Sequence, residues 1–529
     1  MQHQNYNAES LSDYSKLVLL GKLAPFRRII STYLTNSFER AGGLSICKSS
    51  KYSQIEKVSA SQRIKGLLIN PKNTLSYVNQ YYKKNYKYTL PNQISREFGL
   101  KGFKARQSSF RFLKKIYVIS FVRIAKALLE LFKFNNQNNP SLIESAVYIF
   151  NIVPGNLSKE SLGGKDLENW LRNNYLEPKT TIYHSHLNTR FSCSSTSKYV
   201  PSFLPRVSIL IKVFILITAI IKFFIYFLLS LTGNWRQLFM LDDWIYSQVF
   251  KWTKTDKIYK KYIFPFQGDQ YRPCWSWIAE ARGASIVQLN YAANIVPSLD
   301  MKYHDTDNLN TSTWTEIIPF CDKFVKTLQA EVKNKVYPTK IISAPPVLYI
   351  DNPCEALPTG CKPMLAVFDV QPLSQEKYIG ITEINDYVVT KNLDPIFTNR
   401  KFITDCVDLA EEKGFTLITK QKRYDKRIHS AYTDLLNDLQ ERGKLICLDP
   451  SIAPSRIVEA STATITLPFT TIGYNTDLNS NICFYDPISK LSDSHQSSFG
   501  VPLFTSKVHL DCWLTNILDR KINHGYDKS

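Results

Sequence analysis

The run FTLITKQKR at 415–423 closes an alternating, strand-like stretch on Lys420, Lys422 and Arg423. Three cations at one strand end offer charge and directed donors to phosphate oxygens. Further on, ATITLPFTTIGYNTDLNSNICFYDP at 463–487 breaks one apolar run at Pro-Phe-Thr-Thr and resumes another before Tyr-Asp-Pro. Thr470 and Thr471 stand where a helix is expected to start, so their hydroxyls can cap it while free backbone N–H groups cradle a phosphate. Between the two stretches, DPSIAPSRIVEAS reads as a short helix with Glu459 near its end, an acceptor for ribose hydroxyls. Each signal has an ordinary counterpart: a solvated loop, a plain turn, a helix end facing water. Their order is more specific than any of them: basic strand end, short helix, strand, threonine turn, helix, strand.

A general base has three candidates. Asp369 closes MLAVFDV, and His184 and His186 alternate in TIYHSHLN so that they share one strand face. The histidines read first as structural, and the choice among the three stays open. On an acceptor side, Asn290, Tyr291 and Asn294 follow the strand-like SIVQLNY, preceded by Trp275, Trp277 and Glu280. Aromatic rings and amides suit a carbohydrate, though the two tryptophans fit a core equally well. The sequence Asp305-Thr306-Asp307 follows a loop and not a strand end, so no metal is expected.

These groups need a frame. Strand-like runs at 284–291, 340–350, 364–371, 415–423, 444–450, 463–469 and 482–487 alternate with helical patterns at 323–332, 402–414 and 455–461. Such alternation calls for a parallel α/β sheet, whose ligands sit at the carboxyl ends of its strands. The breaker-rich DNPCEALPTGCKP at 351–363 is the expected boundary. The expected organisation is a basic, mostly helical region at 1–200, an apolar helix at 206–235, an acceptor-side α/β segment at 241–350, and a Rossmann-like domain at 362–520.

From ITKQKR through DPSIAPSRIVEASTATITLPFTTIGYNTDLNSNICFYDP the chain resembles the polysaccharide biosynthesis proteins that carry a Pro-Phe-Thr-Ser motif. More distantly it is similar to the nucleotide-sugar domains of GT-B-like capsule and teichoic-acid transferases. Pro468, Phe469 and Thr470 match the motif, and Thr471 replaces its serine while keeping a hydroxyl. NTDLNSN stands where relatives carry a Gly-Lys-Pro turn. The likeness is clearest over 362–487 and fainter over 266–294. It implies an α/β fold of two Rossmann-like, GT-B-like lobes with a largely helical basic N-terminal region. It also implies a glycosyltransferase-like enzyme of cell-surface polysaccharide synthesis, which takes a nucleotide-sugar as substrate, needs no cofactor, and serves a glycan or lipid-linked acceptor. The alternatives are a non-catalytic assembly protein of the same fold and a basic nucleic-acid-binding protein; the leading reading has no nucleic-acid partner.

The bulk numbers agree with a folded chain. Its 529 residues are 44% apolar and 21% charged, enough to bury more than one core. Ten cysteines show no C-x2-C pair, and no histidines fall at zinc spacing, so neither a disulfide framework nor a structural zinc is expected. The opening MQHQNYNAESLSDYSK lacks the pattern of a secretory signal, which places the N-terminus in the cytosol by expectation. The net charge of +21 is uneven: residues 1–250 hold 34 Lys and Arg against 13 Asp and Glu, whereas 251–529 hold 32 of each. An anionic membrane surface is therefore the expected partner of the first half. SSFRFLKKIYVISFVRIAKALLELFKF at 108–134 reads as a basic amphipathic helix suited to it.

RVSILIKVFILITAIIKFFIYFLLSLTGNW at 206–235 decides the topology. Val213 to Leu231 include 14 Leu, Ile, Phe and Val residues and one lysine, Lys222. Insertion favours the apolar residues by roughly 4–8 kcal/mol against roughly 3 kcal/mol for the lysine, so a span is allowed. Yet Ser208, Lys212, Ile215, Ala219, Lys222, Tyr226 and Ser230 recur every three or four residues and share one face. That pattern favours peripheral or monotopic association with the cytoplasmic face of the inner membrane, with a core helix and a true span as alternatives.

Overall fold

The computed structural model describes residues 103–132, 146–149, 170–177, 180–184, 197–199, 202–231, 236–265, 272–290, 314–326, 328–329, 339–345, 356–358, 362–372, 395–421, 428–450, 452–468, 470–488 and 498–526. Two parallel sheets organise them. The first has seven strands: β1 (Ala146–Ile149), β2 (Thr181–His184), β3 (Ser197–Tyr199), β4 (Lys261–Phe264), β5 (Ser285–Leu289), β6 (Glu316–Ile318) and β7 (Lys340–Ile341), ordered β3-β2-β1-β4-β5-β6-β7. The second has six: β8 (Met364–Phe368), β9 (Thr416–Lys420), β10 (Ile446–Leu448), β11 (Ala463–Thr466), β12 (Ile482–Tyr485) and β13 (Leu503–Phe504), ordered β10-β9-β8-β11-β12-β13. Counted from its own first strand, each sheet reads 3-2-1-4-5-6, with one more strand at the edge of the first. This is the doubly wound order, in which the chain reverses direction between strands 1 and 4 and leaves a crevice at their carboxyl ends.

Strands of such sheets are buried on both faces, and β1, β11 and β12 are buried at every position. Three strands of the first sheet lie within 146–199, inside the stretch expected to be mostly helical. The α/β segment expected to begin at 241 therefore includes residues from 146 onward. AVYI is four residues, too short for its period to separate strand from helix, whereas TIYH, which reads as strand-like, is β2. The strand expected over 340–350 is only Lys340–Ile341. Pro345 and Pro346 follow closely and cannot donate to a ladder.

The helices that position the sheets are α1 (Phe103–Phe132), α2 (Ile209–Leu231), α3 (Leu241–Trp252), α4 (Cys274–Ala281), α5 (Pro395–Lys413), α6 (Ser430–Glu441), α7 (Pro454–Ala460) and α8 (Lys507–Tyr526). The first four cover one face of the first sheet, where Trp275 stacks on Phe250 at 4.7 Å beneath Tyr148 and Tyr262. In LDDW, Asp243 caps the start of α4: its Oδ2 accepts from the Cys274 N–H at 2.9 Å. The second sheet alternates strictly. Leu365, Val367, Leu417, Ile465 and Tyr485 face the core formed with α5, α6 and α8, while Ala366, Phe368, Ile418 and Phe484 face the opposite way.

That opposite face belongs to a core continuous with the first sheet's. Phe324, in the loop after β6, packs edge-on against Tyr474 at 4.9 Å and against Phe499 at 4.6 Å. Beside it Lys323 Nζ donates to the Tyr474 carbonyl at 3.1 Å and to Thr476 Oγ1.

Candidate functional site

The crevice of the second sheet lies between the carboxyl ends of β8 and β11. Leu467 N donates to Phe368 O at 2.9 Å, so the loops Asp369–Pro372 and Leu467–Thr470 leave the sheet side by side. On the other side of β8, Thr419 pairs in register with Val367, and Lys420 is the next residue. Lys420, Asp369 and Thr470 thus emerge from three adjacent strand ends, as expected of a parallel sheet. Lys422, Arg423 and Phe469 lie outside the described residues.

The threonine turn differs from its expected form. Thr471–Tyr474 makes one 3-10 turn and not an α-helix, and Thr470, at its N-cap, makes no capping bond with its side chain. Its Oγ1 is enclosed and has no hydrogen-bond partner among the described residues. The turn is closed by Gly473 N to Thr470 O and Asn475 N to Ile472 O, both 3.1 Å. Gly473 explains the short form: it is pressed so close to β11 and β12 that a Cβ would overlap the Phe484 ring and the Thr466 hydroxyl. The glycine-free NTDLNSN loop is held by amides. Asn479 Nδ2 donates to Val458 O at 3.1 Å and Ser461 O at 2.7 Å, and Asn481 Nδ2 donates to Thr462 O at 3.1 Å. These bonds fasten the loop to carbonyls at the end of α7 and just beyond it.

Asp369 is turned toward α6, where the Tyr432 hydroxyl donates to its Oδ2 at 2.5 Å. Burial pushes the carboxyl up from 3.8 to about 6, against the opposing pull of the Tyr432 bond. A carboxyl raised in the folded state favours folding when protonated. Its contribution is complete below the unfolded value and is lost as pH rises through about 6. Asp369→Asn is expected to flatten that part of the stability profile and to be the more stable protein at neutral pH, by on the order of 1–3 kcal/mol. Urea unfolding across this pH window checks it; an unchanged slope refutes it. Glu459 is exposed near the end of α7, shortly before β11 begins, and so lies toward the amino edge, away from Lys420 and Thr470.

On the first sheet, His184 closes β2 in register with Ile149 at the end of β1. Asn290 follows β5, its N–H bonded to Ile318 O at 2.9 Å. Its side chain is 1% exposed, and neither amide atom has a partner among the described residues. Trp275 and Trp277 are buried in the core. Glu280 is engaged by Arg272 at 2.5 Å and by Thr315. His186, Tyr291 and Asn294 lie outside the described residues.

Residues 216–514, more than half of the chain, match the family described as polysaccharide biosynthesis PFTS motif protein. The chain belongs to this PFTS family. Membership carries a role in polysaccharide biosynthesis. A search of curated proteins finds no match. In this PFTS protein the motif turn that begins at Pro468 leads directly into the junction of the two sheets through Tyr474 and Thr476. Reading the PFTS sequence alone missed Lys323, Phe324 and Asn475. Asn475 is 4% exposed, and its Oδ1 has no partner among the described residues. Its only signal was its place directly after Gly-Tyr, at the head of the loop that departs from the family.

Proposed function

We propose that the PFTS protein is a glycosyltransferase of cell-surface polysaccharide synthesis, moving a sugar from a nucleotide-sugar donor to a glycan or lipid-linked acceptor at the cytoplasmic face. The observation that carries this reading is the repeated 3-2-1-4-5-6 order, with the motif turn at the crevice of the second sheet and against the first. Two doubly wound sheets meeting in this way fit a GT-B-like enzyme, and ligands of such sheets bind at these strand ends.

In this reading Lys420, Lys422 and Arg423 take up the charge that develops on the leaving nucleotide. The unpartnered Thr470 hydroxyl supplies a directed donor to a phosphate oxygen. Asn290, buried with its amide unsatisfied, offers both a donor and an acceptor to sugar hydroxyls. Holding donor and acceptor together supplies much of the acceleration.

The test is a thermal-shift panel of CMP-, UDP-, GDP- and TDP-sugars on the wild type and on a Lys422→Ala, Arg423→Ala variant. One nucleotide class is expected to stabilise the wild type, by about 2.7 kcal/mol at a hundred-fold excess over its Kd, and to leave the variant unmoved. Absence of any stabilising nucleotide, or an equal response from the variant, overturns the reading.

A further inference from the structure

The long apolar helix wears its polar residues on the inside. Along α2, Ile215, Ala219 and Ser230 are buried. Lys222 Nζ donates to Tyr226 Oη at 3.0 Å and lies 5.0 Å from the centre of the Trp244 ring of α3. Ser230 meets the Tyr117 hydroxyl of α1 at 3.0 Å. The opposite face turns Leu210, Phe214, Ile217, Ile221, Phe224 and Leu228 to the outside, each more than half exposed. α1 runs antiparallel beside it, Phe121 against Phe223 at 5.2 Å, and adds exposed Val118 and Val122.

Of the three fates open to such a segment, two conflict with its packing. A core helix is mostly covered, whereas only 17% of the most apolar window of α2 is buried. A span would carry its two flanks to opposite sides of a hydrocarbon layer about 30 Å thick. Yet Phe203, Leu204 and Val207 before α2 and Leu238 and Leu241 after it share a single core. α3 also returns alongside it, Trp252 meeting Phe214 at 6.2 Å.

Charge selects the occupant. Arg206 and Lys212 lie at the start of α2, and Lys251 and Lys254 at the end of α3, which Trp252 brings against Phe214. Anionic headgroups would neutralise these cations. We propose that α2 lies in the plane of an anionic bilayer surface, its outward face at the acyl boundary and the four cations among the headgroups. The proposal stands apart from the sugar-transfer reading, since it uses none of the strand-end residues.

The test is flotation of the full chain with vesicles of phosphatidylcholine alone or of equal parts phosphatidylcholine and phosphatidylglycerol. The wild type is expected to float with the mixed vesicles, less with the neutral ones, and less again as salt is raised. An Ile217→Asp, Ile221→Asp, Leu228→Asp variant with an unchanged circular dichroism spectrum is expected to lose partitioning by roughly a hundred-fold or more. The milder Ile217→Asn, Ile221→Asn pair should lose part of it. Ser208→Cys and Gln237→Cys, added singly, should both react with an impermeant maleimide applied outside sealed vesicles, as mapped by peptide mass. Failure of the wild type to float overturns the proposal. So does protection of one cysteine alone, which would mean a span, or a dimer that the aspartates dissociate without any vesicle binding, which would mean a second copy.

Discussion

Replacing Arg272 by leucine is expected to cost about 3–5 kcal/mol of folding free energy. The guanidinium is wholly buried and meets Glu280 Oε2 at 2.5 Å. Its Nε donates to Ser276 Oγ at 3.1 Å, and it lies 4.1 Å from the centre of the Trp277 ring. Glu280 also accepts from Thr315, so the pair ties the chain before α4 to that helix's last turn and to the approach to β6. Leucine would fill part of the volume but leave the Glu280 carboxylate, only 20% exposed, without its counter-charge. The double replacement Arg272→Leu, Glu280→Leu should recover most of the loss, because removing both charges also removes the desolvation each one suffers. Urea unfolding of the wild type, the double variant and the two single variants Arg272→Leu and Glu280→Leu gives the coupling directly. A single substitution costing less than about 1 kcal/mol would show that the pair is not what holds α4 to the sheet.

Gly473→Ala should be the next most damaging change, at about 1–3 kcal/mol. An added Cβ would enter the space of the Phe484 ring and the Thr466 hydroxyl, and both residues are fully buried. Phe484 is itself held by Tyr474 at 5.1 Å, so it has nowhere to retreat. The turn must therefore lift, carrying Thr470 and Asn475 with it. Chemical denaturation should show the loss, and hydrogen exchange should quicken at 470–478 before it does elsewhere. Wild-type stability together with unchanged exchange would mean that the turn tolerates a side chain, and that its closeness to the strands has no structural consequence.

The second sheet was legible where local pattern and tertiary demand coincide. MLAVF, TLITK, ICL, ATIT and ICFY are short apolar runs bounded by Pro, Asp or charged residues, and each became a strand. Once parallel strands were expected, Lys420, Asp369 and Thr470 followed as strand-end residues, because the sheet rule needs only their place in sequence. The shape of the threonine turn was not legible. Its close approach to the sheet rests on Gly473 meeting Phe484 of β12, a contact from the β11–β12 connection to the strand after it that no local window contains. Arg272 and Glu280 are eight residues apart, outside the spacings at which helix neighbours are recognised. On α2 the period did reveal a polar face, but not its direction. Polar residues usually mark the outside of a helix, and here they mark the inside.

The repeated strand order invites a picture of two interchangeable modules, and the junction at Phe324 argues against it. The ring belongs to a loop of the first sheet, yet it completes the face of the second that carries Tyr474 and Phe484. The second half covers part of that face with α7, Tyr474 and Phe499, and the first half completes it. Exchange of one half between related chains would have to preserve Lys323 and Phe324 on one side together with the turn at Thr471–Tyr474 on the other. The motif turn is thereby seated on a short loop more than a hundred residues upstream.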